Sequence, residues 1–313
     1  MTDLPTVPTA PAEVAAPQRR SGGRVRVSGT DRIFLVLMVA IPTILVVLWV
    51  WLPAIASVVL SFARWSGIGG LDTIQWIGTD NYKNVFTNYP PFAPALRHNV
   101  VWLVFLFVLP TLFGMLLAVL LDRELRGTRF YQTALFLPVV LSLALIGFIW
   151  QLLYSRDQGL LNAVLHTQID WYGDSRWNLW AVLVAASWRH AGYIMLLYLA
   201  GLKGVDPSLR EAAAVDGASQ VRTFFSVVFP VMRPINIIIL VVTVIESLRA
   251  FDIVWVINKG TNGLELISTL VTSNVTGEAS RIGFGSALAT IMLVISLVFI
   301  TIFLSTVMRG EQR

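Results

Sequence analysis

The chain has 313 residues, 56% of them hydrophobic and only 13% charged, and its mean hydropathy is +0.72. That composition excludes an ordinary water-facing globular domain and describes a membrane protein. The net charge of +5 comes from Lys and Arg placed between apolar runs rather than gathered on one soluble face, which argues against a nucleic-acid partner, and the absence of Cys excludes disulfides, thiolate metal sites and cysteine nucleophiles.

In chain order, residues 1–30 hold Pro5, Pro8, Pro11 and Pro17, then Arg19, Arg20, Arg24 and Arg26, and read as a flexible basic tail. From Ile33 to Ala63 there are 31 residues without a charge. A signal-peptide apolar region runs to roughly 7–15 residues, so this stretch reads as a retained span even though Ala54-Ile55-Ala56 mimics a cleavage site. Spanning a bilayer core takes about 20 helical residues. Six segments qualify, near 33–61, 99–121, 133–154, 179–202, 234–257 and 284–307. Residues 31–313 are therefore expected to form one all-α, six-helix transmembrane domain, kinked at Pro42, Pro53, Pro110, Pro138 and Pro234.

Orientation follows from Lys and Arg on alternate sides of the spans. Fourteen of the 23 fall on the side holding both termini, seven on the other, and Arg189 and Arg249 lie inside spans. Both termini are thus expected in the cytoplasm. The first loop on the opposite side carries Trp65, Trp76, Tyr82 and Tyr89, which suit interfacial anchoring or a partner surface.

The loop at about 204–234 is too polar to span. Asp206 suits an N-cap and Pro207 the first helical position, so a short helix is expected to begin there and stop at Asp216-Gly217. A second helix, about Ser219–Phe229, has Val221, Phe224, Phe225 and Val228 at three- and four-residue spacing, which predicts one apolar face. Taken alone, this reads first as an amphipathic connector lying on headgroups.

Charges inside the spans form the second feature. Arg189 and His190 sit halfway along the fourth span; Glu246, Arg249 and Asp252 recur at every third position of the fifth, where Arg249 is expected to pair with either acid. A charge at mid-bilayer costs at least about 2.5–3.5 kcal/mol, so these groups are expected to face the bundle or a water-filled path. They read as the polar lining of a solute route or as a structural ion pair between two helices. Trp150, Gln151, Trp188 and Trp255 are weaker lining candidates.

Glu211-Ala212-Ala213, Asp216-Gly217-Ala218, Phe224 seven residues after Gly217, then Phe229-Pro230 and Pro234 together resemble the EAA loop of ABC-importer permeases. The resemblance covers nearly all of the chain beyond the tail and is greatest to the carbohydrate branch. Ile77–Tyr82, Arg126-Gly127, Leu137-Pro138, Gly159–Asn162 and Phe251–Trp255 support it. Two departures lie near the outer side: Asn258–Gly263 replaces the family's Thr-x-Gly-Gly-Pro turn, and Asn99-Val100 its Asn-Thr. The resemblance implies a type I importer permease of the bacterial inner membrane. Its cytoplasmic coupling helix would dock on an ATPase dimer through Glu211, Ala212, Ala213, Asp216, Gly217, Ala218, Phe224 and Pro230. It further implies a second permease subunit, an extracytoplasmic sugar-binding protein, and a di- or oligosaccharide as cargo. The chain has no phosphate-binding GxxxxGK[ST] loop, so ATP and Mg would be held by the partner ATPase, and no cofactor, metal or catalytic residue is expected here. The alternatives are a secondary transporter or channel working without an ATPase, which leaves the loop unexplained, and an intramembrane enzyme, for which no catalytic motif accompanies His190, Glu246 and Asp252.

Overall fold

A computed structural model describes residues 28–123, 127–277 and 280–311. The basic tail up to Val27 and Arg126 of the Arg126-Gly127 pair lie outside the described residues, as do the side chains of Arg309 and Arg313. The chain divides into two units, residues 1–53 and 54–313.

The described residues of the first unit are helical from Gly29 onward. Ser28 accepts from Thr30 N–H and starts α1 (Gly29–Val46), which passes into a π turn, Val47–Trp51, ahead of Pro53. In that turn Leu52 N–H reaches back to Val47 O, a wider loop than an α-turn, directly before a proline that has no N–H to give. No residue of α1 is buried, and the helix from Gly29 to Leu60 is the most apolar candidate membrane span of the chain.

The second unit begins within α2 (Leu52–Leu60) and is helical apart from a two-stranded antiparallel ribbon. There β1 (Ala63–Arg64) pairs with β2 (Gln75–Trp76), Ala63 opposite Trp76. A short α3 (Asp80–Thr87) leads to α4 (Phe92–Asp122). Pro110 leaves α4 unbroken: its ring deprives Leu106 O of the usual N–H, and Thr111 Oγ1 donates to that carbonyl instead, at 2.9 Å. The central contact is between α4 and α8 (Asn178–Lys203), where a Cβ on Gly114 would come within 2.7 Å of Ala191 O. Such close backbone approach through small residues is how helices associate in lipid, where burial of apolar surface gives no drive.

Between them run α5 (Thr128–Val140), α6 (Leu143–Leu153) and α7 (Leu160–Leu165). The third expected span is thus two helices bent by 100°, broken just after Pro138, with Ser142 accepting from Leu145 N–H to start the second. After α8 come α9 (Pro207–Val215), α10 (Gln220–Thr223), a π turn at Phe224–Val228 and α11 (Phe229–Val231). Then come α12 (Arg233–Leu248), α13 (Asp252–Asn258), α14 (Ile267–Thr276) and α15 (Ile282–Glu311). The fifth expected span is interrupted at residues 249–251, and α14 has no counterpart among the expected elements. Among the described residues four helices are long and apolar enough to cross a bilayer, or six if each of two bent pairs counts as one span. The exposed Leu, Val, Ile and Phe of these helices suit spans that meet lipid or a partner helix rather than water.

Candidate functional site

The loop between α8 and α12 is built by local rules. Asp206 Oδ1 accepts from Ser208 N–H at 2.9 Å, and Pro207 occupies the first helical turn of α9. That N–H holds the Asp206 carboxyl below the usual Asp range. The helix ends in a Schellman turn: Ala218 N–H bonds Ala213 O at 3.0 Å and Gly217 N–H bonds Ala214 O at 3.1 Å. The turn requires a left-handed residue, and Gly217 supplies it with φ of +75°. A Cβ there would meet nothing within 4 Å, so the constraint on Gly217 is conformational and not steric packing.

One face of α9 is bound to the bundle. Arg210 Nη1 donates to Asp122 Oδ2 at the end of α4, 2.9 Å, and Nη2 donates to Leu202 O in the last turn of α8, 3.2 Å. Arg123 Nη2 donates to Gln220 Oε1 at 2.8 Å, which fastens α10 to the same end of α4. Ala213 is buried, and Val228 with Met232 packs among Leu121, Leu199 and Leu202. On the other side Glu211, Ala212, Asp216 and Gly217 are exposed, Val215 is 88% exposed, and Ala218 is half-buried. Pro230 is exposed at the base of the loop. The expected apolar face of the second helix is divided. Phe224 and Val228 turn inward, whereas Val221 and Phe225 stay exposed, because the π turn inserts one residue and rotates the next part of the helix.

The interior charges are arranged differently from the sequence expectation. Arg189 Nη1 lies 3.5 Å from Glu246 Oε2, joining α8 to α12, and buried His190 Nε2 is 3.1 Å from Thr243 Oγ1 one turn away. Arg249 pairs with neither acid. It caps the end of α12, so the helical register that would align Glu246, Arg249 and Asp252 is lost. Arg249 is exposed, has no ion pair among the described residues, and lines an apolar cleft of about 490 Å³ with Ser57, Leu248, Ala289 and Leu293. Asp252 opens α13, and Phe251 stacks on Trp255 at 5.4 Å. Trp150 meets Tyr154 at 5.0 Å and Trp188 at 6.0 Å, with its indole N–H buried and unpaired; Gln151 Nε2 donates to Ile257 O. Sequence reading missed Asp122, Arg123, Gln220 and Thr243. The signal for the first two was a charge pair ending an apolar run; for Thr243 it was a polar residue four before Ser247 in a hydrophobic helix.

The two family departures also have structural consequences. Asn99 Oδ1 accepts from Ile267 N–H at 3.0 Å and so caps α14 from a different helix. The Asn258–Gly263 turn holds Lys259, Gly260, Asn262 and Gly263 at positive φ, tied by Asn178 Nδ2 to Asn262 O at 2.7 Å. Among the described residues no group of His, Asp and Glu is placed to hold a metal ion.

These features define a multi-pass helical membrane protein with a rigid helical turn standing out from one end of its helices. The family model for the binding-protein-dependent transport system inner membrane component matches residues 111–309, so the chain belongs to that family. It is a transport subunit, a permease, and not an enzyme. A probable ABC transporter permease of Pyrococcus horikoshii is 28% identical over 291 residues, 90% of this chain and 98% of that one. The arabinooligosaccharides transport system permease AraP of Halalkalibacterium halodurans is 30% identical over 263 residues, 80% of each. A chain of a bacterial ABC transporter that imports the acidic polysaccharide alginate superposes with a TM-score of 0.77 at 20% identity, over 89% of this chain and 96% of that one, and shares the fold.

Proposed function

We propose that this permease carries a carbohydrate, of di- or oligosaccharide size, from an extracytoplasmic binding protein to the cytoplasm. It would work with a second permease subunit and an ATPase dimer that supplies ATP and Mg. The exposed Glu211–Gly217 edge of α9, held from behind by Arg210, is the observation that supports the reading. A short helix fixed to the ends of α4 and α8 moves with them, so closure of an ATPase beneath it is transmitted as rigid-body motion. Glu211 would meet a cation on the ATPase, and Ala212 and Ala218 would permit close approach. The cytoplasmic position of this loop and of both termini follows from the Lys and Arg count, with six crossings if each bent pair is one span. Sugar-permease relatives such as AraP support the carbohydrate. Arg189, His190, Glu246, Arg249, Asp252, Gln151 and Trp150 would line or shape the route.

The test is reconstitution with the ATPase and binding protein. Glu211→Ala is expected to leave binding-protein recruitment intact while lowering both stimulated ATPase activity and uptake severalfold, since a charge pair half-buried by docking lies between the under about 1 and roughly 3–5 kcal/mol extremes. Uptake by this chain with no ATPase present would sustain the secondary-transporter reading instead.

A further inference from the structure

A polar cleft of about 430 Å³ lies among Arg64, Trp65, Ser66, Asn84, Asn88 and Arg281. Its position follows from α4. The Phe92 end of that helix packs with Val85 of α3 beside the cleft, and the Asp122 end holds Arg210 of the transport loop. The two are separated by 31 helical residues, about 46 Å, which is enough to cross a bilayer. The cleft therefore opens at the opposite membrane surface. Arg64 stands four residues beyond the end of α2, and Arg281 immediately before the first residue of α15, so both adjoin the ends of candidate membrane spans.

The cradle is built and rigid. Asn81 Nδ2 donates to Ser61 O and Ala63 O at 2.9 and 2.8 Å, and Gly283 N–H bonds Trp65 O at 3.1 Å, which clamps the Arg64 segment onto the start of α15. Among the described residues its only charged lining groups are Arg64 and Arg281. Neither arginine has a carboxylate partner among the described residues, no Asp or Glu lines the cleft there, and the 30-residue helix α15 adds the positive end of its dipole. The indole N–H of Trp65 is buried with no acceptor. The amides of Asn84 and Asn88 and the Ser66 hydroxyl add neutral partners suited to hydroxyls. Along α2 below Arg64, Ile55 and Val59 are exposed at helical spacing, followed by Phe62, an apolar lane along which acyl chains can lie.

We propose that this cleft binds the headgroup of an anionic phospholipid, its phosphodiester between Arg64 and Arg281 and its glycerol hydroxyls at the Asn and Ser side chains. Among the described residues no carboxylate lines the cleft, which disfavours zwitterionic headgroups, whose ammonium would find no counter-charge in that lining. The adjoining apolar lane of Ile55, Val59 and Phe62 favours a lipid over an acidic loop of the binding protein.

The assembled transporter would be placed in nanodiscs of phosphatidylcholine and phosphatidylethanolamine with increasing phosphatidylglycerol, and tightly retained lipid counted by native mass spectrometry. Phosphatidylglycerol is expected to be retained in preference to phosphatidylethanolamine. Each of Arg64→Gln and Arg281→Gln is expected to weaken that retention about fivefold and the pair roughly 30-fold, from about 1 kcal/mol per cation near a membrane surface. If the double variant does not assemble, the single variants carry the test. Unchanged phosphatidylglycerol retention in the variants, or equal retention of phosphatidylethanolamine by the wild type, overturns the site. Inorganic phosphate displacing the lipid signal at matched concentration would make it a free-anion site, and normal lipid retention with lost binding-protein docking would make it a protein contact; either result overturns the lipid assignment.

Discussion

At the corner of α4, α8 and α9 the charges are tightly paired: Arg210 meets Asp122 at 2.9 Å and also holds a carbonyl of α8. Between α8 and α12, Arg189 and Glu246 meet at 3.5 Å, and Arg249 a turn further on has no acid beside it among the described residues. The first arrangement fixes one helix against two others while Glu211 and Asp216 are exposed and have no ion pair among the described residues. The second leaves donors and acceptors only partly committed. A part that transmits force needs a single geometry, whereas a path for a hydroxyl-rich solute needs groups that can exchange partners without leaving a buried charge stranded.

The largest effect is expected where the rigid side depends on backbone conformation. Gly217→Val puts a β-branched residue at φ of +75°, and a left-handed non-Gly residue costs about 1–3 kcal/mol, more when branched. The Schellman turn would open and α9 lose its fixed end. Uptake is expected to fall tenfold or more with the permease itself still folded, because open space around Gly217 means no packing within the chain is disturbed. Wild-type uptake from an assembled Gly217→Val transporter would show that the turn needs no fixed geometry.

Next in size is the clip. Arg210→Asp would place two carboxylates together at the α4–α9 corner, and Asp122→Arg two guanidinium groups; each is expected to uncouple ATPase stimulation from uptake by roughly tenfold, about 1.4 kcal/mol. The reciprocal double swap is expected to recover most of that loss, which a purely structural surface pair would not do in the ratio of uptake to ATP hydrolysed. Absence of recovery would place the coupling elsewhere than in the Asp122–Arg210 contact.

The loosely paired side is sharpened by Arg249→Leu. If Arg249 belongs to the route, uptake falls severalfold while complex abundance and basal ATPase activity stay normal. If the complex fails to accumulate, the residue serves assembly, and the contrast between a fixed corner and an adaptable interior is lost.

How far the sequence can be read differs between the same two regions. Asp206, Pro207 and Gly217 each dictate their own backbone through bonds to neighbours within a few residues, so the start and end of α9 are legible from residue type alone. The interior is not. Whether α12 continues through Arg249 depends on tertiary packing, and a periodic pattern of charges cannot report an interruption at residues 249–251. At Pro138 the residue type predicts a kink but not a 100° break. The helix α14 is hidden in the sequence because Ser268, Thr269, Thr272 and Ser273 are weak helix formers, and its cap comes from Asn99 in another helix. The membrane itself is the most legible feature, since apolar length answers directly to bilayer thickness.

The smallest effect concerns pH at the start of α9, where the fixed corner depends on one ionised cap. Ser208 N–H holds the Asp206 carboxyl below its ordinary value of 3.8, so the folded loop binds its proton less readily than the unfolded chain. The stabilisation from this group is therefore complete above the ordinary value and is lost only as pH falls through the lowered one. Across about pH 5–8 the cap stays charged, and coupling is expected to show no pH dependence from it. Asp206→Asn retains an oxygen acceptor for Ser208 N–H and is expected to match the wild type over that whole range, whereas Asp206→Ala removes the acceptor. Hydrogen exchange of the peptide spanning residues 207–211 in the assembled transporter reads the difference. Faster exchange is expected for the Ala variant alone. An Asn variant that differed from the wild type at pH 7 but not at low pH would show that the charge of Asp206, rather than its hydrogen bond, anchors the helix.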